Sequence, residues 1–244
     1  MYRNKRVFYF LNAPLLRGHF TDKNVFLQQK EMENTRLQTP EEEKANAITH
    51  GLGIVFTLVA IPFLINHAEK FGANYSKSTI CVFGFGMLAT YVSSTMYHAI
   101  QEPKRKEMWH ICDHIAIFLL IGGTYTPVIF RHLPFDHAFY FMATMWFVIL
   151  LGIVFKLFFT GRFEWLSLTL YVFLGWMIAF VAKPMAKTMS WEVFSWILYG
   201  SFAYMIGIVF YKWRSKKYSH AVWHCLVLMG TIAHFVSIYK SFSI

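Results

Sequence analysis

Long apolar segments recur along the chain and are separated by short polar stretches. Each apolar segment is about 20 residues long, the length at which a helix crosses a hydrocarbon layer roughly 30 Å thick. The segment Met145–Phe155 shows no alternation of apolar and polar residues, so the strands of a membrane barrel are not indicated. The pattern predicts an all-α integral membrane protein built as a bundle of seven transmembrane helices. The predicted spans are Thr49–Asn66, Ser78–Ile100, Trp109–Phe130, His137–Phe158, Trp165–Val181, Trp191–Tyr211 and Ala221–Tyr239.

The composition agrees with this prediction. Hydrophobic residues make up 56% of the chain and charged residues 15%, which is more apolar than a soluble domain of this length requires. The connections between the predicted spans are short, so neighbouring helices should run antiparallel within one domain. We therefore expect a cytoplasmic tail at residues 1–46 and a seven-helix domain at residues 47–244.

The tail is mixed and charged, and we expect it to be partly disordered or to lie in the membrane interface. Val7–Leu11 is apolar and lies between Arg6 and Arg17, a pattern typical of an interfacial helix. The longer run Val7–Leu16 does not resemble a cleavable signal peptide, because Pro14 and Arg17 interrupt it and no small-residue cleavage site follows. The first span is therefore expected to direct insertion.

Lys and Arg residues are concentrated in the tail and in the connections on the same side of the predicted bundle. Because such residues favour the cytoplasmic side, the amino terminus is predicted in the cytoplasm and the carboxyl terminus outside, in a protein of the plasma (inner) membrane. The net charge of +10 is interpreted mainly as this topology signal, with attraction to anionic lipid headgroups as a second effect. Membrane lipids are the expected partners, no feature indicates nucleic-acid binding, and the oligomeric state stays open.

Polar residues from three spans are predicted to meet in one layer on the cytoplasmic side of the bundle. Ionisable groups within a membrane are costly unless they have partners, so such a set indicates a functional site. Two imidazoles four residues apart lie on one helix face and can share a zinc ion. We predict that three histidines bind zinc, while an aspartate either bonds to the zinc-bound water or holds a histidine in orientation. A serine is predicted to contact that water or a substrate carbonyl. The predicted ligands are His98, His220 and His224, and the other two residues are Asp113 and Ser94.

Each of these residues also has a structural interpretation. Ser94 can bond to its own helix, and histidines at helix ends often lie in the wet interface. His110 and His114 form a second His-x3-His pair and are minor candidates for direct ligands, with His110 also a candidate neighbour of the ligands. His50 can reach the same layer from the first span. The remaining histidines are expected at the surface or in the interface: His19, His67, His132, His137 and His234.

The three cysteines, Cys81, Cys112 and Cys225, all fall inside predicted spans and do not resemble a disulfide framework. We interpret them as small buried hydrophobic residues. Thiolate ligation is the alternative for Cys112 and Cys225, because they adjoin Asp113 and His224.

The candidate site residues occur in an ordered set of motifs. The set comprises Glu42-Glu43-Lys44-Ala45-Asn46, Thr49-His50-Gly51-x-Gly53, Ser94-x3-His98, Asp113, and His220-x3-His224 with Trp223. In this order the motifs resemble those of the haemolysin III and progestin and adipoQ receptor family. The resemblance covers the chain from about Glu41 to Tyr239.

This resemblance implies a seven-helix bundle with a zinc ion on its cytoplasmic side, bound by histidines that map onto His98, His220 and His224. Asp113 matches the family's aspartate, which holds a zinc-bound water, and Ser94 matches the serine beside it. Members similar to adiponectin receptors and alkaline ceramidases imply hydrolysis of lipid amides. Bacterial members are named for haemolytic activity.

Two hypotheses about function follow from these observations. The first is a zinc-dependent hydrolase that acts on a lipid amide, such as ceramide, at the cytoplasmic membrane face. The alternative is a non-enzymatic protein, either a pore-forming haemolysin or a sensor of membrane lipids in which zinc is structural. A pore should need a polar stripe through the whole membrane, yet the outer half of the predicted spans is almost wholly apolar. A hormone-type receptor is supported by nothing beyond the seven helices.

Overall fold

Seven helical segments among the described residues are long and apolar enough to cross a membrane, and the fifth of them, Glu164–Met185, is interrupted. The computed structural model describes residues 36–71, 75–161 and 163–243, so the tail segment Val7–Leu11 and His19 lie outside the described residues. The helices are α1 (Pro40–Lys70), α2 (Ser76–Ala99), α3 (Pro103–His132), α4 (Phe135–Phe159), α5 (Glu164–Gly175), α6 (Trp191–Lys212) and α7 (Ser219–Ser241). They confirm the predicted all-α, seven-span architecture.

The odd-numbered helices begin at one end of the bundle, here called the near end, and the even-numbered helices end there. The opposite end is called the far end. Successive helices run antiparallel. The pairs α1–α2, α2–α3, α3–α4 and α6–α7 pack against each other, α5 packs on α3 and α4, and α7 closes the arrangement by packing on α1. The first turn of α1, the last turn of α2 and the first turns of α3 and α7 therefore meet at the near end.

Local sequence explains where α1 begins. The Thr39 hydroxyl accepts a hydrogen bond from the Glu42 backbone N–H at 3.4 Å, and the Glu42 carboxylate accepts one from the Thr39 backbone N–H at 2.9 Å. This reciprocal cap satisfies two amide groups that have no partner within the helix. Pro40 follows at the first helical position, where the missing N–H costs nothing. The start of α1, which carries several of the motif residues, is thus well defined.

The fifth span is broken, whereas a continuous helix from Trp165 to Val181 was predicted. After α5 ends at Gly175, the chain continues through a 3₁₀ turn, Met177–Val181, and a last α-helical turn, Ala182–Met185. Tyr125 of α3 compensates for the break: its hydroxyl donates to the Gly175 carbonyl at 2.7 Å and accepts from the Ile178 N–H at 3.0 Å. A break within a membrane is tolerated where such a side chain satisfies the freed backbone groups.

The core of the bundle lies among α2, α3 and α7, which are buried along half or more of their apolar length. Close approach of α2 and α3 depends on glycine, because a methyl group on Gly86 would lie 2.6 Å from the Leu119 carbonyl oxygen. A methyl group on Gly123 would lie 2.9 Å from the Val82 carbonyl oxygen. Small residues at such crossings are typical of membrane helices. The other four helices expose large apolar side chains along their outer faces, as contact with lipid requires.

Two predictions about buried and exposed residues are wrong. Cys81 and Cys225 are exposed rather than buried, and Cys112 is only half-buried. His132 and His234, expected at the surface or interface, are buried, while His137 is exposed as expected and His67 is half-buried. The physical reason is that the lipid is as apolar as the protein interior, so apolar surroundings in the sequence do not distinguish an inward from an outward helix face.

Candidate metal centre

Three imidazoles from two helices converge at the near end of the bundle. His98 lies in the last turn of α2, and His220 and His224 lie in the first two turns of α7. One potential ligand atom from each residue lies within 4.8 Å of the other two. The ring centroids are 4.5 Å apart for His220 and His224, and 5.1 Å apart for His98 and either of them. We call these three residues the histidine cluster.

His98 is oriented by a carboxylate from α1. Its Nδ1 lies 2.6 Å from Oε2 of Glu43. Because a carboxylate only accepts hydrogen bonds, Nδ1 carries the proton and Nε2 keeps a free lone pair. Lys106 of α3 binds the other oxygen of Glu43 at 3.1 Å. The Nε2 atom of His98 is buried and has no hydrogen-bond partner among the described residues.

His224 is oriented in the same way by the backbone of α1. Its Nδ1 lies 3.2 Å from the Asn46 carbonyl oxygen and 3.2 Å from the Thr49 hydroxyl. The Thr49 hydroxyl itself donates to the Asn46 carbonyl at 2.9 Å, so this oxygen accepts from both side chains. A carbonyl oxygen only accepts, which places the proton of His224 on Nδ1 and the free lone pair on Nε2.

This donor set fits a transition-metal ion such as zinc. A histidine that binds a metal through one ring nitrogen commonly donates its other N–H to a carboxylate or a backbone carbonyl, and the cluster contains one example of each. A zinc ion held by three protein ligands keeps one tetrahedral position open, which distinguishes catalytic from structural sites. The buried, unpartnered Nε2 of His98 is the clearest sign that the cluster can hold a metal ion.

A side chain of α1 binds the backbone at the start of α7, the helix that carries His220. Tyr218, directly before α7, has a φ of 60°, a left-handed conformation that is uncommon for residues other than glycine. The Glu42 carboxylate accepts a hydrogen bond from the Tyr218 backbone N–H at 2.8 Å. Because the same carboxylate caps α1, the first turns of both helices are held together by one buried side chain.

Asp113 and Ser94 lie next to the histidine cluster but outside its ligand group. Asp113 is half-buried, and both His98 and Ser94 interact with its carboxylate. The Ser94 side chain is fully buried, and its hydroxyl has no hydrogen bond of normal geometry among the described residues. Proximity to the cluster agrees with the predicted layer, while the roles of both residues stay predictions.

The alternative ligands do not join the cluster. Within the described part of the chain, the group that can hold a metal contains no cysteine and neither His110 nor His114. His110 stacks on Tyr97, with ring centroids 5.0 Å apart, and the His114 Nδ1 donates to the His110 carbonyl at 2.9 Å. These two histidines belong to a neighbouring region of α3.

His50 is a prominent site residue whose location was predicted only approximately. Its ring stacks on His224 with centroids 3.6 Å apart, and both of its nitrogens are buried without a partner among the described residues. Glu43, Asn46 and His50 are spaced three and four residues apart, so they share one face of α1. This polar face on an otherwise apolar helix indicates that α1 lines the site together with α2 and α7.

Fold and site together define the class of protein: a multi-pass helical membrane protein with a histidine cluster, able to hold a metal ion, at one end of the bundle. The pattern of the family described as "Haemolysin-III related" matches residues 38–235. The chain therefore belongs to the haemolysin III family, which confirms the resemblance of its motifs.

Relatives from bacteria and mammals support the same assignment. The chain is 40% identical to the "Hemolysin-3 homolog" of Bacillus subtilis (strain 168) over 197 residues, which cover 81% of this chain and 92% of the relative. It is 38% identical to "Hemolysin-3" of Bacillus cereus over 198 residues, 81% of this chain and 90% of the relative. The human "Monocyte to macrophage differentiation factor" is 24% identical over 222 residues, 88% of this chain and 91% of the relative.

Proposed function

We propose that this chain is a zinc-dependent hydrolase that cleaves the amide bond of a ceramide-like membrane lipid. The observation that carries the proposal is the histidine cluster, in which the Nδ1 atoms of His98 and His224 are already held by Glu43 and Asn46. This arrangement leaves the Nε2 atoms for a metal, and three protein ligands are typical of catalytic zinc.

In this proposal His98, His220 and His224 hold the ion. When bound, zinc supplies Lewis-acid activation of water and of a carbonyl group. Asp113 accepts the proton of the attacking water and transfers it to the nitrogen of the leaving amine. Ser94 donates a hydrogen bond to the carbonyl oxygen of the lipid amide, where negative charge develops. The Ser94 hydroxyl makes no hydrogen bond of normal geometry among the described residues and lies beside the Asp113 carboxylate, which supports these roles.

The membrane setting suits an amphipathic substrate. His220 is the only member of the histidine cluster that is not fully buried, so we place substrate access on its side of the site. The lipid amide would lie at the near end, with its acyl chain along the apolar helices. The concentration of Lys and Arg at this end leads us to place it in the cytoplasm and the carboxyl terminus outside, in the plasma membrane.

The experiment compares purified native protein with His220→Ala and Asp113→Asn in zinc content and in fatty acid release from a panel of ceramides. We expect about one zinc per native chain and zinc-dependent release. His220→Ala should lose both. Asp113→Asn should keep its zinc, because Asp113 lies outside the ligand group, and should lose release by about 100-fold or more.

Other outcomes contradict specific parts of the proposal. Zinc without release from any lipid amide would argue for a structural ion. Loss of zinc in Asp113→Asn would identify the aspartate as a ligand. Absence of zinc from the native protein would remove the basis for a metal-dependent activity.

A non-enzymatic function is the second candidate, either as a haemolysin or as a lipid sensor with structural zinc. The names of the two Bacillus relatives favour haemolysis. The pore mechanism is less well supported, because buried polar groups at the far end bond to one another. His132 Nε2, for example, donates to the Ser241 hydroxyl at 3.0 Å. Leakage of a small dye from vesicles that contain the purified protein would favour a pore, whereas intact vesicles would exclude it.

A further inference from the structure

A buried lysine at the near end is not used by the proposed hydrolase. Lys156 lies one turn before the end of α4, and its side chain is fully buried. A lysine so close to the end of a membrane helix ordinarily extends its ammonium group to the interface. The Nζ atom of Lys156 instead lies inside the bundle with no hydrogen-bond partner among the described residues. A buried ammonium group without a partner destabilises the folded protein. We therefore expect Lys156 to bind a ligand.

The register of α3, α4 and α5 shows what surrounds this lysine. The rings of Phe118 and Tyr171 lie 4.5 Å apart, and Phe118 also packs directly on Gly152 of α4. Four residues along a helix correspond to about 6 Å, or one turn. One turn closer to the near end than this aromatic contact, each of the three helices carries a polar residue. These residues are His114 on α3, Lys156 on α4 and Ser167 on α5.

Contacts within this layer agree with the register. The Tyr171 hydroxyl donates to the His114 carbonyl at 2.8 Å, and His110 and His114 both interact electrostatically with Lys156. The Ser167 side chain is buried, and its hydroxyl has no partner among the described residues. Two hydrogen-bond donors without partners, an ammonium and a hydroxyl, therefore occupy the same layer as two imidazoles.

Protein carboxylates do not neutralise Lys156 in the described part of the chain. Glu164 is the acidic residue that interacts with it, but the Glu164 carboxylate forms an ion pair of 2.7 Å with Arg214. No ion pair of Lys156 occurs among the described residues. The layer thus holds an ammonium group without a carboxylate partner and a hydroxyl group without a hydrogen-bond partner, and both can donate to an oxyanion.

We propose that His110, His114, Lys156 and Ser167 form a second site, the anion seam, that binds the phosphate of a membrane phospholipid. Lys156 and Ser167 donate to the phosphate oxygens. Lys156 and Ser167 lie about one turn from the near ends of α4 and α5, at the depth of lipid headgroups, while His110 and His114 lie about two and three turns into the longer α3. Phe158, Phe159 and Trp165 on the adjoining outer faces are exposed and can contact the acyl chains. Tyr97 lies between this seam and the histidine cluster, because its ring contacts both His98 and His110.

The test measures binding of short-chain ligands to detergent-purified protein by native mass spectrometry. Dihexanoylphosphatidylglycerol is the probe, dihexanoylglycerol is the same lipid without phosphate, and inorganic phosphate is the free anion. The variants are Lys156→Met, Ser167→Ala and the control Lys212→Met, whose exposed lysine also lies at the near end.

We expect the phosphate-bearing lipid to bind the native chain more tightly than the other two probes. Lys156→Met should weaken this binding by about tenfold or more, as expected for loss of a charge-assisted hydrogen bond. Ser167→Ala should weaken it by a smaller factor, and it replaces Lys156→Met as the decisive variant if that protein does not fold. Lys212→Met should bind like the native chain.

Three outcomes would overturn the proposal. Equal loss in Lys156→Met and Lys212→Met would mean that surface charge alone attracts the lipid. Unchanged binding in both seam variants would place the lipid elsewhere. Inorganic phosphate binding as tightly as the lipid would make the ligand a free anion. None of these results depends on zinc or on amide hydrolysis, so failure of one proposal can be distinguished from failure of the other.

Discussion

The two ends of the bundle differ in how far their buried polar groups are paired by hydrogen bonds. At the far end, the His132 Nε2–H donates to the Ser241 hydroxyl, which in turn donates to the Ser237 carbonyl at 2.9 Å. The Ser237 hydroxyl donates to the Val193 carbonyl at 3.1 Å, and the Thr188 hydroxyl donates to the His132 carbonyl at 2.7 Å. These bonds join α3, α6, α7 and the connection that follows the fifth span into one network that needs no ligand.

At the near end, buried polar atoms are left without partners. Within the described residues, every buried side-chain nitrogen or oxygen that lacks a hydrogen bond belongs to a residue in the half of its helix closer to the near end. They include His98 Nε2, the Ser94 hydroxyl, both nitrogens of His50 and the Lys156 ammonium. Native proteins rarely leave such groups without a hydrogen bond, so their concentration favours a ligand-binding region at the near end. The far end is a structural network, and the near end carries the candidate site.

The largest expected effect comes from removing one buried histidine at each end. His224→Ala should reduce the zinc content of the purified protein from about one per chain to near zero, because two imidazoles hold the ion poorly. His132→Ala should lower the melting temperature, because it breaks the far-end network, and leave the zinc content unchanged. Equal zinc loss in both variants would show that the effect comes from misfolding.

A smaller change should follow from Glu43→Gln. The glutamine can still accept from His98 Nδ1 but lacks the charge that raises the basicity of the ring, so zinc affinity should fall about 10- to 100-fold. Glu192→Gln provides the control, because Glu192 forms an exposed ion pair of 2.9 Å with Lys240 at the far end. Zinc affinities measured by competition with a chelator should separate the two variants, and identical affinities would exclude Glu43 as a positioning residue.

Removal of the metal should act on one end only. Chelation takes away an interaction that stabilises the folded state, so backbone amides near the ion should exchange with solvent more readily. We expect faster hydrogen exchange in the first turns of α1 and α7, around Asn46 and His220, with unchanged exchange around His132. Uniformly faster exchange would mean that the ion stabilises the whole bundle rather than the near end.

The smallest expected effect is that of Ser241→Ala. This change removes the acceptor of His132 Nε2 and leaves a buried N–H without a partner, which costs about 1–3 kcal/mol. Thermal unfolding in detergent should show the loss of stability, and the zinc content should not change. Normal stability would mean that water replaces the serine and that the far-end network is looser than the contacts suggest.

Much of the fold was predictable because the membrane imposes a simple rule on sequence. Apolar length alone identified all seven spans, and it placed His98 at the end of α2 and His220 and His224 at the start of α7. Antiparallel packing of helices with short connections then predicted that these residues share a layer. Their convergence within 4.8 Å bears this out, while the bound metal and the roles of Ser94 and Asp113 stay predictions.

Other features could not be derived in the same way. The break after Gly175 depends on the hydroxyl of Tyr125, a residue 50 positions earlier in the chain. His234 was misplaced because Gly200 of α6 makes room for it: a methyl group on Gly200 would lie 2.6 Å from His234 Nε2. Cys225 was misplaced because apolar neighbours are found on both the inward and the outward face. Each error concerns which helix lies opposite a given face.

The sequence by itself determined the number of spans, the family and the three histidines of the cluster, because membrane thickness and helical periodicity act along the chain. Only the tertiary structure decided that Glu43 and Asn46 hold the histidines and that His50 stacks on one of them. It also decided that Lys156 points inward beside His114 rather than outward to the interface. These outcomes depend on helix rotation and register, and packing between distant segments sets both.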